Sequence, residues 1–423
     1  MLQLNFIREH KEEVITRLAV KNFDANTVID EILEADIHVR KLKKELEDFN
    51  SYANKLVKEI GTLFRTATGE EIKSKKEENS AIKQKVKIIS DNLSHRGKQL
   101  DNLLLRIPNL PHSSVPKGKT PADNEIIFSE GEIPKLPSSA KPHWELAQQY
   151  NLIDFELGVK LTGAGFPVYK GKGAKLQRAL INFFLDKATA AGYLEIEAPI
   201  LVNEASGFGT GQLPDKEGQM YHVTLDNLYL IPTAEVPITN IYRDTILKAE
   251  ELPLKNCGYT PCFRREAGSY GKDVRGLNRL HQFDKVEIVQ IVHPAQSYNT
   301  LEEMRNYIAE ILKQLELPFR ILKLCGGDIS FASALTYDFE TWSAAQQKWL
   351  EVSSVSNFES FQSNRSKIRF REGNGKPQLA HTLNGSALAL PRIVATLLEN
   401  NQTDSGIIIP KALVPYTGFE MID

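Results

Sequence analysis

Cysteine is scarce in this chain of 423 residues: there are three, Cys257, Cys262 and Cys325. None forms a C-x-x-C pair, which argues against a disulfide scaffold, gives no zinc signature and suits a reducing compartment. Net charge is nearly absent too, with 52 basic against 54 acidic side chains, so any surface for a polyanion has to be a local patch. No apolar run approaches the roughly 18 residues that a bilayer span needs. The N-terminus, MLQLNFIREHKEEV, gathers charge too early for a secretory signal. Repeats at solenoid spacings and low-complexity tracts are also missing. The expectation is a soluble, cytoplasmic protein without membrane contact. Its composition is ordinary, 41% hydrophobic and 25% charged, and its length suits two domains.

What is present begins with a heptad. Ile32, Ala35, Val39, Leu42, Leu46, Phe49, Ala53, Leu56, Ile60 and Leu63 step by three and four in alternation, the seam of a coiled-coil helix. After GTLFRTATGEE the pattern resumes at Ile72, Ile82, Val86, Ile89, Leu93, Leu100 and Leu103, with Lys75, Asn79 and Arg96 as polar seam positions. Two such helices joined by a short turn predict an antiparallel hairpin whose arms run roughly 50 Å at about 1.5 Å per residue. Residues 40–98 hold 15 Lys+Arg against 9 Asp+Glu. A nucleic-acid arm and a structural strut would both carry such charges.

Seven of the twenty prolines fall between 108 and 142, which denies regular helix and central strand and predicts an extended connector. The domains are therefore expected at 1–107 and 143–423, with 108–142 between them. Beyond the connector, GAKLQRALINFFLDKATAAGY is an amphipathic helix with Gly192 near its end. LEIEAPILV is a strand interrupted by Pro199. LYLIPT, GYTPCFRRE, HQFDKVEIVQIV and WLEVSSVSN are further strands, and their irregular connections favour an antiparallel α+β sheet.

The chemistry concentrates around FRREAGSYG. On a strand Arg264 and Glu266 would share a face while Arg265 points away. Phe283 and Glu287 would share a face of the following strand. Such a hairpin can surround a nucleotide, with a guanidinium on phosphate and a ring stacked on the base.

The longer stretch FRREAGSYGKDVRGLNRLHQFDKVEI resembles motif 2 of the class II aminoacyl-tRNA synthetases, in the form found in the seryl-tRNA synthetases of bacterial type. GTGQLP (209–214), PTAEVP (232–237), EVSSVSN (351–357) and HTLNGSALALPR (381–392) match that family in order. The N-terminal hairpin resembles its tRNA-binding arm, so the likeness covers essentially the whole chain. The resemblance implies a class II catalytic domain, an antiparallel sheet flanked by helices. It further implies ATP-dependent ligation of L-serine to tRNA(Ser) through seryl-adenylate, tRNA(Sec) as a further acceptor where it is made, Mg2+, and a homodimer. The helix at 173–191 and the EAPILV strand would lie near the dimer interface.

By the same resemblance Arg264 holds the α-phosphate and the serine carboxylate, with Arg265 among the ATP contacts and Glu266 beside the adenine. Phe283 and Arg392 sandwich the adenine ring, Arg279 reaches the γ-phosphate, and Leu280 lines the nucleotide pocket through its backbone. Glu351, Val352, Ser353 and Ser354 match further ATP contacts, with Glu351 and Ser354 as the Mg2+ ligands. Residues three apart on an ideal strand face opposite sides, so that pair requires a bulge or a strand end. Thr233, Ala234 and Glu235 receive the serine ammonium group, while Glu287, Ser386 and Asn384 surround its hydroxyl. Arg264, Glu287 and Arg392 form the catalytic group.

Three positions depart from the family pattern. SFASALTYD places Leu335 where a lysine is often found, Ala387 stands where glycine is frequent, and Pro391 immediately precedes Arg392. A proline in the first turn of a helix costs no hydrogen bond, and Arg392 would then sit at the positive end of the helix dipole. A catalytically dead RNA-binding relative would be expected to lack motif arginines or carboxylates, yet Arg264, Glu287, Glu351 and Arg392 are all present. An enzyme loading a protein carrier would have no use for the helical arm.

Overall fold

The structure, a computed structural model, describes residues 1–64, 68–137, 139–266 and 275–423. The chain divides into two compact units, residues 1–19 with 23–108, and residues 20–22 with 109–423. Among the described residues no helix is long and apolar enough to cross a membrane.

The first unit is dominated by α1 (Asn26–Leu63) and α2 (Gly69–Leu104), about 57 and 54 Å long at 1.5 Å per residue. All ten seam positions on α1 are buried or half-buried, as the heptad demands. On α2 the apolar seam also turns inward, and Lys75 and Asn79 are half-buried beside it. Arg96 differs from the expectation: it is exposed, and Gly97 takes the inward place. A long cation gains nothing from a dry seam when a neighbour without a side chain can fill the position. Lys75 is made tolerable by Glu78, 2.8 Å away, which also accepts from Tyr52 of α1 at 2.5 Å.

In the second unit eight strands form one sheet. They are β1 (Glu125–Glu130), β2 (Leu194–Glu195), β3 (Leu254–Phe263), β4 (Gln282–Val292), β5 (Phe319–Lys323), β6 (Leu335–Ser343), β7 (Lys348–Asn357) and β8 (His381–Ala389). Their spatial order is β1-β5-β6-β7-β8-β4-β3-β2. Every pairing is antiparallel except β2 with β3, so the α+β expectation describes the fold. The longest helices of this unit supply apolar side chains to its core: α3 (Gly171–Ala190), α4 (Ser297–Gln314) and α5 (Leu390–Asn400). Leu176, Leu180, Phe183 and Phe184 of α3, Leu301 and Ile308 of α4, and Ile393 and Leu397 of α5 join Val286, Ile288 and Val292 of β4 in that core. The register of β4 thereby turns its alternate residues, Phe283, Lys285 and Glu287, to the opposite face. Gly192, at φ +85°, ends α3 in the left-handed conformation that glycine adopts without cost.

Two readings of local structure differ. The connector is not extended throughout: between Pro121 and Pro134 the proline-free EIIFSE pairs with β5 as the outermost strand of the sheet. Its charged ends, Glu125 and Glu130, reach Lys323 and Lys313 at 2.8 and 2.9 Å. The stretch 194–202 is not one strand. It breaks at Pro199 into β2 and a segment at Leu201–Asn203 that pairs with Leu228–Leu230 in a separate small sheet. Leu335, the residue in place of the family's lysine, is buried at the start of β6, and Ala387 is buried within β8.

Candidate active site

The face of β4, β8, β7 and β6 opposite the α3, α4 and α5 core gathers the polar residues. Register carries them there, because Glu287 pairs with Ser386 and Val289 with Asn384, Ser356 pairs with Asn384, and Asp338 pairs with Ser354. Partners in a ladder share a face.

At the β4 end lies a buried hydrogen-bonded pocket. Lys285 Nζ is 2.5 Å from Glu287 Oε2 and donates to Thr233 Oγ1 at 2.8 Å. Thr233 donates in turn to Glu287 at 3.3 Å, and Ser386 Oγ donates to the same oxygen at 3.4 Å. Glu235 opens a short helix, and its amide donates to Thr233 Oγ1 at 3.3 Å. Its carboxylate accepts from Gln362 Nε2 at 2.6 Å and from Asn384. Gln362 is fixed from behind by Thr382, which donates to its Oε1 at 2.6 Å. Burial, then the nearby charge of Glu287, pushes the Glu235 carboxyl up to about 7 against the pull of Gln362, Lys285 and Asn384. Ala234 is fully buried between Thr233 and Glu235. The pocket therefore offers two carboxylates, hydroxyls and an amide, the set that an ammonium group and a hydroxyl on one small ligand would satisfy.

At the β3–β4 end the strand reading of Arg264 and Glu266 does not hold. β3 stops at Phe263, and Glu266 lies in the left-handed region at φ +48°, so alternation no longer governs the two side chains. Arg264 keeps one ladder-like bond, its amide to His281 O at 2.9 Å. Its guanidinium lies 5.2 Å from the centre of the Phe283 ring. The Arg265 amide donates to Gln219 O at 2.8 Å. Glu266 pairs with Arg279 at 3.0 Å, and Leu280 is buried. Of the loop AGSYGKDVRGLN, positions 267–274 lie outside the described residues.

Pro391 occupies the first turn of α5, as the position of Arg392 requires. Arg392 Nη1 donates to Glu351 O at 2.7 Å, with the Glu351 carboxylate at 3.5 Å, and its Nε donates to Asn278 O at 3.3 Å. The cation lying over Phe283 is thus Arg264, while Arg392 is tethered to Glu351 and Asn278.

The bulge demanded by Glu351 and Ser354 is present. Phe339 pairs with Ser353 but Glu340 with Glu351, leaving Val352 as the extra residue. Glu351 and Ser354 then follow Glu340 and Asp338, two apart on β6, onto one face. Val352 itself packs into the core and has only its backbone to offer, and Ser353 Oγ donates to Ser386 O at 2.5 Å. Asp338 Oδ1 is buried without a hydrogen-bond partner. Burial, and next the charge of Glu351, holds its carboxyl well above the usual range although Ser354 hydrogen-bonds to it. Carboxylates crowded in this way fit a divalent cation, whose charge would relieve both. Among the described residues no group of three or more His, Cys, Asp or Glu forms a cage. Mg2+ at a nucleotide commonly takes one or two carboxylates and its other oxygens from phosphate and water.

Sequence reasoning passed over Lys285, Gln362 and Asp338. Lys285 carried a signal, since the alternation Phe283, Lys285, Glu287 puts it on the site face. Gln362 and Asp338 reach the site only through tertiary packing and strand register.

Comparison with known proteins agrees along the chain. Residues 1–111 match the family model for the seryl-tRNA synthetase N-terminal domain, and residues 221–401 match that for the tRNA synthetase class II core domain (G, H, P, S and T). The chain is 50% identical to a serine–tRNA ligase of Salinibacter ruber, over 100% of this chain and 99% of the relative. It is 46% identical to one of Chlorobaculum parvum, over 100% of both. The crystal structure of seryl-tRNA synthetase from Pyrococcus horikoshii complexed with ATP superposes with a TM-score of 0.91 at 33% identity, covering 100% of this chain and 99% of that one. With both family models and full-length relatives in agreement, the chain belongs to the seryl-tRNA synthetases of the class II aminoacyl-tRNA synthetases.

Proposed function

We propose that the protein ligates L-serine to tRNA(Ser) in two steps, with ATP as co-substrate. A serine carboxylate oxygen attacks the α-phosphorus of ATP, the bond to the bridging oxygen breaks, and pyrophosphate leaves. The ribose hydroxyl of the terminal tRNA adenosine then attacks the carbonyl of seryl-adenylate and displaces AMP. Neither step needs strong acid–base machinery. Both need two anions brought together and their charge neutralised, which is positioning plus electrostatics.

Arg264 bridges the serine carboxylate and the α-phosphate, and Phe283 supplies the shelf for adenine, closed by Arg392. Arg279 turns from Glu266 to the γ-phosphate, Arg265 and Leu280 complete the pocket, and the 351–354 stretch borders the triphosphate. Mg2+ would be held by Glu351 and Ser354 and would supply positive charge against the phosphates. Thr233, Ala234 and Glu235 take the ammonium group, while Glu287, Ser386 and Asn384 read the hydroxyl. Alanine is rejected because the pocket's own polar groups would be left unpaired, and threonine for want of room.

The observation that carries this reading is the single network joining Thr233, Lys285, Glu287 and Ser386 on the strand face that also presents Phe283. Residues 1–107 would grip tRNA outside the anticodon by shape and phosphate contacts. Residues 143–423 would carry the chemistry beyond the Pro-rich 108–142. The same anticodon-independent grip would admit tRNA(Sec) where it is made. A homodimer would form with the helix at 173–191 and the EAPILV strand near its interface, which the 39% exposure of Leu201 supports, and the work would be done in the cytoplasm. ATP–pyrophosphate exchange with each of the twenty amino acids, with Mg2+ and without tRNA, tests the reading. Exchange with serine alone is expected, and silence with all twenty would overturn it.

A further inference from the structure

Behind the segment that carries Arg279 lies a buried pair with no part in the chemistry above. Glu399, two turns beyond Arg392 on α5, and His143 are both fully buried. His143 Nδ1 donates to Glu399 Oε1 at 2.8 Å, and the His143 amide donates to the same oxygen at 3.0 Å. Ser343 Oγ and Gln346 Nε2 donate to the carboxylate as well, the latter at 3.0 Å. Burial opposes the charge of Glu399, yet these bonds, the His143 ring first, hold its carboxyl below the usual range.

The other ring nitrogen faces the segment that carries Arg279. His143 Nε2 accepts the Leu277 N–H at 2.8 Å, so the ring carries its proton on Nδ1, where Glu399 fixes it. Gly276 passes so close that a Cβ there would stand 2.3 Å from Nε2, and its φ of +66° also favours glycine. Arg275 lies over the Trp144 ring at 4.8 Å. A second branch runs from Glu399 through Gln346 to Asn278 Nδ2, with Asn278 donating to Gln346 Oε1 at 2.9 Å. The Asn278 carbonyl is the group that holds Arg392 Nε.

We infer that His143 is a positioning residue for ATP: held in one tautomer by Glu399, it pins the Leu277 amide and thereby sets Arg279 and the Asn278–Arg392 contact. The inference rests on the proposed engagement of ATP by Arg279 and Arg392. The serine pocket, built on Thr233, Glu235, Glu287 and Ser386, takes no bond from this network. A loss of positioning is therefore selective, whereas a merely structural role would lower the active fraction and leave both Michaelis constants alone.

The test is ATP–pyrophosphate exchange by the full chain with separate titrations of ATP and serine, on protein shown to be folded by its thermal transition. His143→Ala strands the Leu277 N–H and should raise KM for ATP roughly tenfold, with KM for serine unchanged within about twofold. His143→Gln, which can donate to Glu399 and accept from Leu277, should restore most of the loss. If His143→Ala does not fold, Gln346→Leu cuts the Asn278 branch, together with Gln346's own bonds to Glu399 and Ser343, while leaving the His143–Leu277 bond in place, and should raise KM for ATP about threefold in the same selective way. Folded variants with both constants unchanged, or both raised equally, would overturn the inference. Arg392→Ala in the same assay separates the two levels. An unchanged KM for ATP there removes the reading beneath the inference, while a raised one alongside an unaffected His143→Ala removes the inference alone.

Discussion

Lys285 and Glu287 stand two residues apart on one strand face, Nζ to Oε2 at 2.5 Å, with side chains 7% and 2% exposed. Neither charge is stable there alone. Replacing Lys285 by Met leaves the Glu287 carboxylate buried without its cation, and breaking a buried pair from one side costs about 3–5 kcal/mol. The expected outcome is a thermal transition lowered by several degrees, together with a KM for serine raised at least about tenfold. A transition unchanged from the wild type would mean that the pair is solvated in practice and does not organise the pocket.

Glu235 gives the pocket a pH dependence. Folding lifts its carboxyl from 4.5 to about 7 through burial and then the charge of Glu287, with Lys285, Gln362 and Asn384 opposing. Between those values the folded state holds a proton that the unfolded chain has lost. The group's contribution to stability is thus full below the lower value and is lost as pH rises through about 7. In the proposed site serine's ammonium takes the ionised form, so binding would expel the proton. KM for serine should climb about tenfold per unit as pH falls below the folded value, with kcat flat across the same range. Glu235→Gln should erase that acid limb and raise KM about 10- to 100-fold at pH 8. An acid limb that persists in the variant would assign the titration to another group.

The sequence carried the fold wherever a period survives in the backbone. The seam from Ile32 to Leu63 is inward-facing at each step, and Leu176, Leu180, Phe183 and Phe184 bury the predicted stripe of α3. Alternation failed where the backbone leaves the strand: β3 ends at Phe263, and Glu266 is left-handed. Spacing did better at Glu351 and Ser354, since two groups needed on one face but three residues apart demand a bulge, and Val352 provides it. Lys285 was legible by the same alternation that places Phe283 and Glu287 on the site face. Gln362 comes from a short helix remote in sequence from Glu235, so no local pattern could announce their 2.6 Å contact.

That bulge makes Glu351 and Ser354 a separable test of cation binding. Glu351→Ala should raise the Mg2+ concentration giving half-maximal pyrophosphate exchange by at least about tenfold. Chelation of Mg2+ from the wild type should stop exchange and leave the thermal transition in place, because the sheet and its helices are held by an apolar core. A Mg2+ titration identical in Glu351→Ala and wild type would remove Glu351 from cation binding and restrict it to holding Arg392 through its carbonyl.

On α2, Lys76, Lys83 and Lys87 are exposed and spaced by seven and four residues, which stacks them along one side of the helix. If the arm meets the phosphate backbone, these lysines act as point charges and confer no sequence preference. Reversing all three to Glu should weaken tRNA binding by about two orders of magnitude at low salt and reduce the salt slope by roughly one for each phosphate no longer neutralised. Pyrophosphate exchange without tRNA should be unchanged, since every residue of the proposed serine and ATP sites belongs to the other unit. The two assays together decide between an RNA-binding arm and a strut. A strut would leave tRNA affinity and its salt dependence as they were, and the basic excess of residues 40–98 would then be only a solvated face.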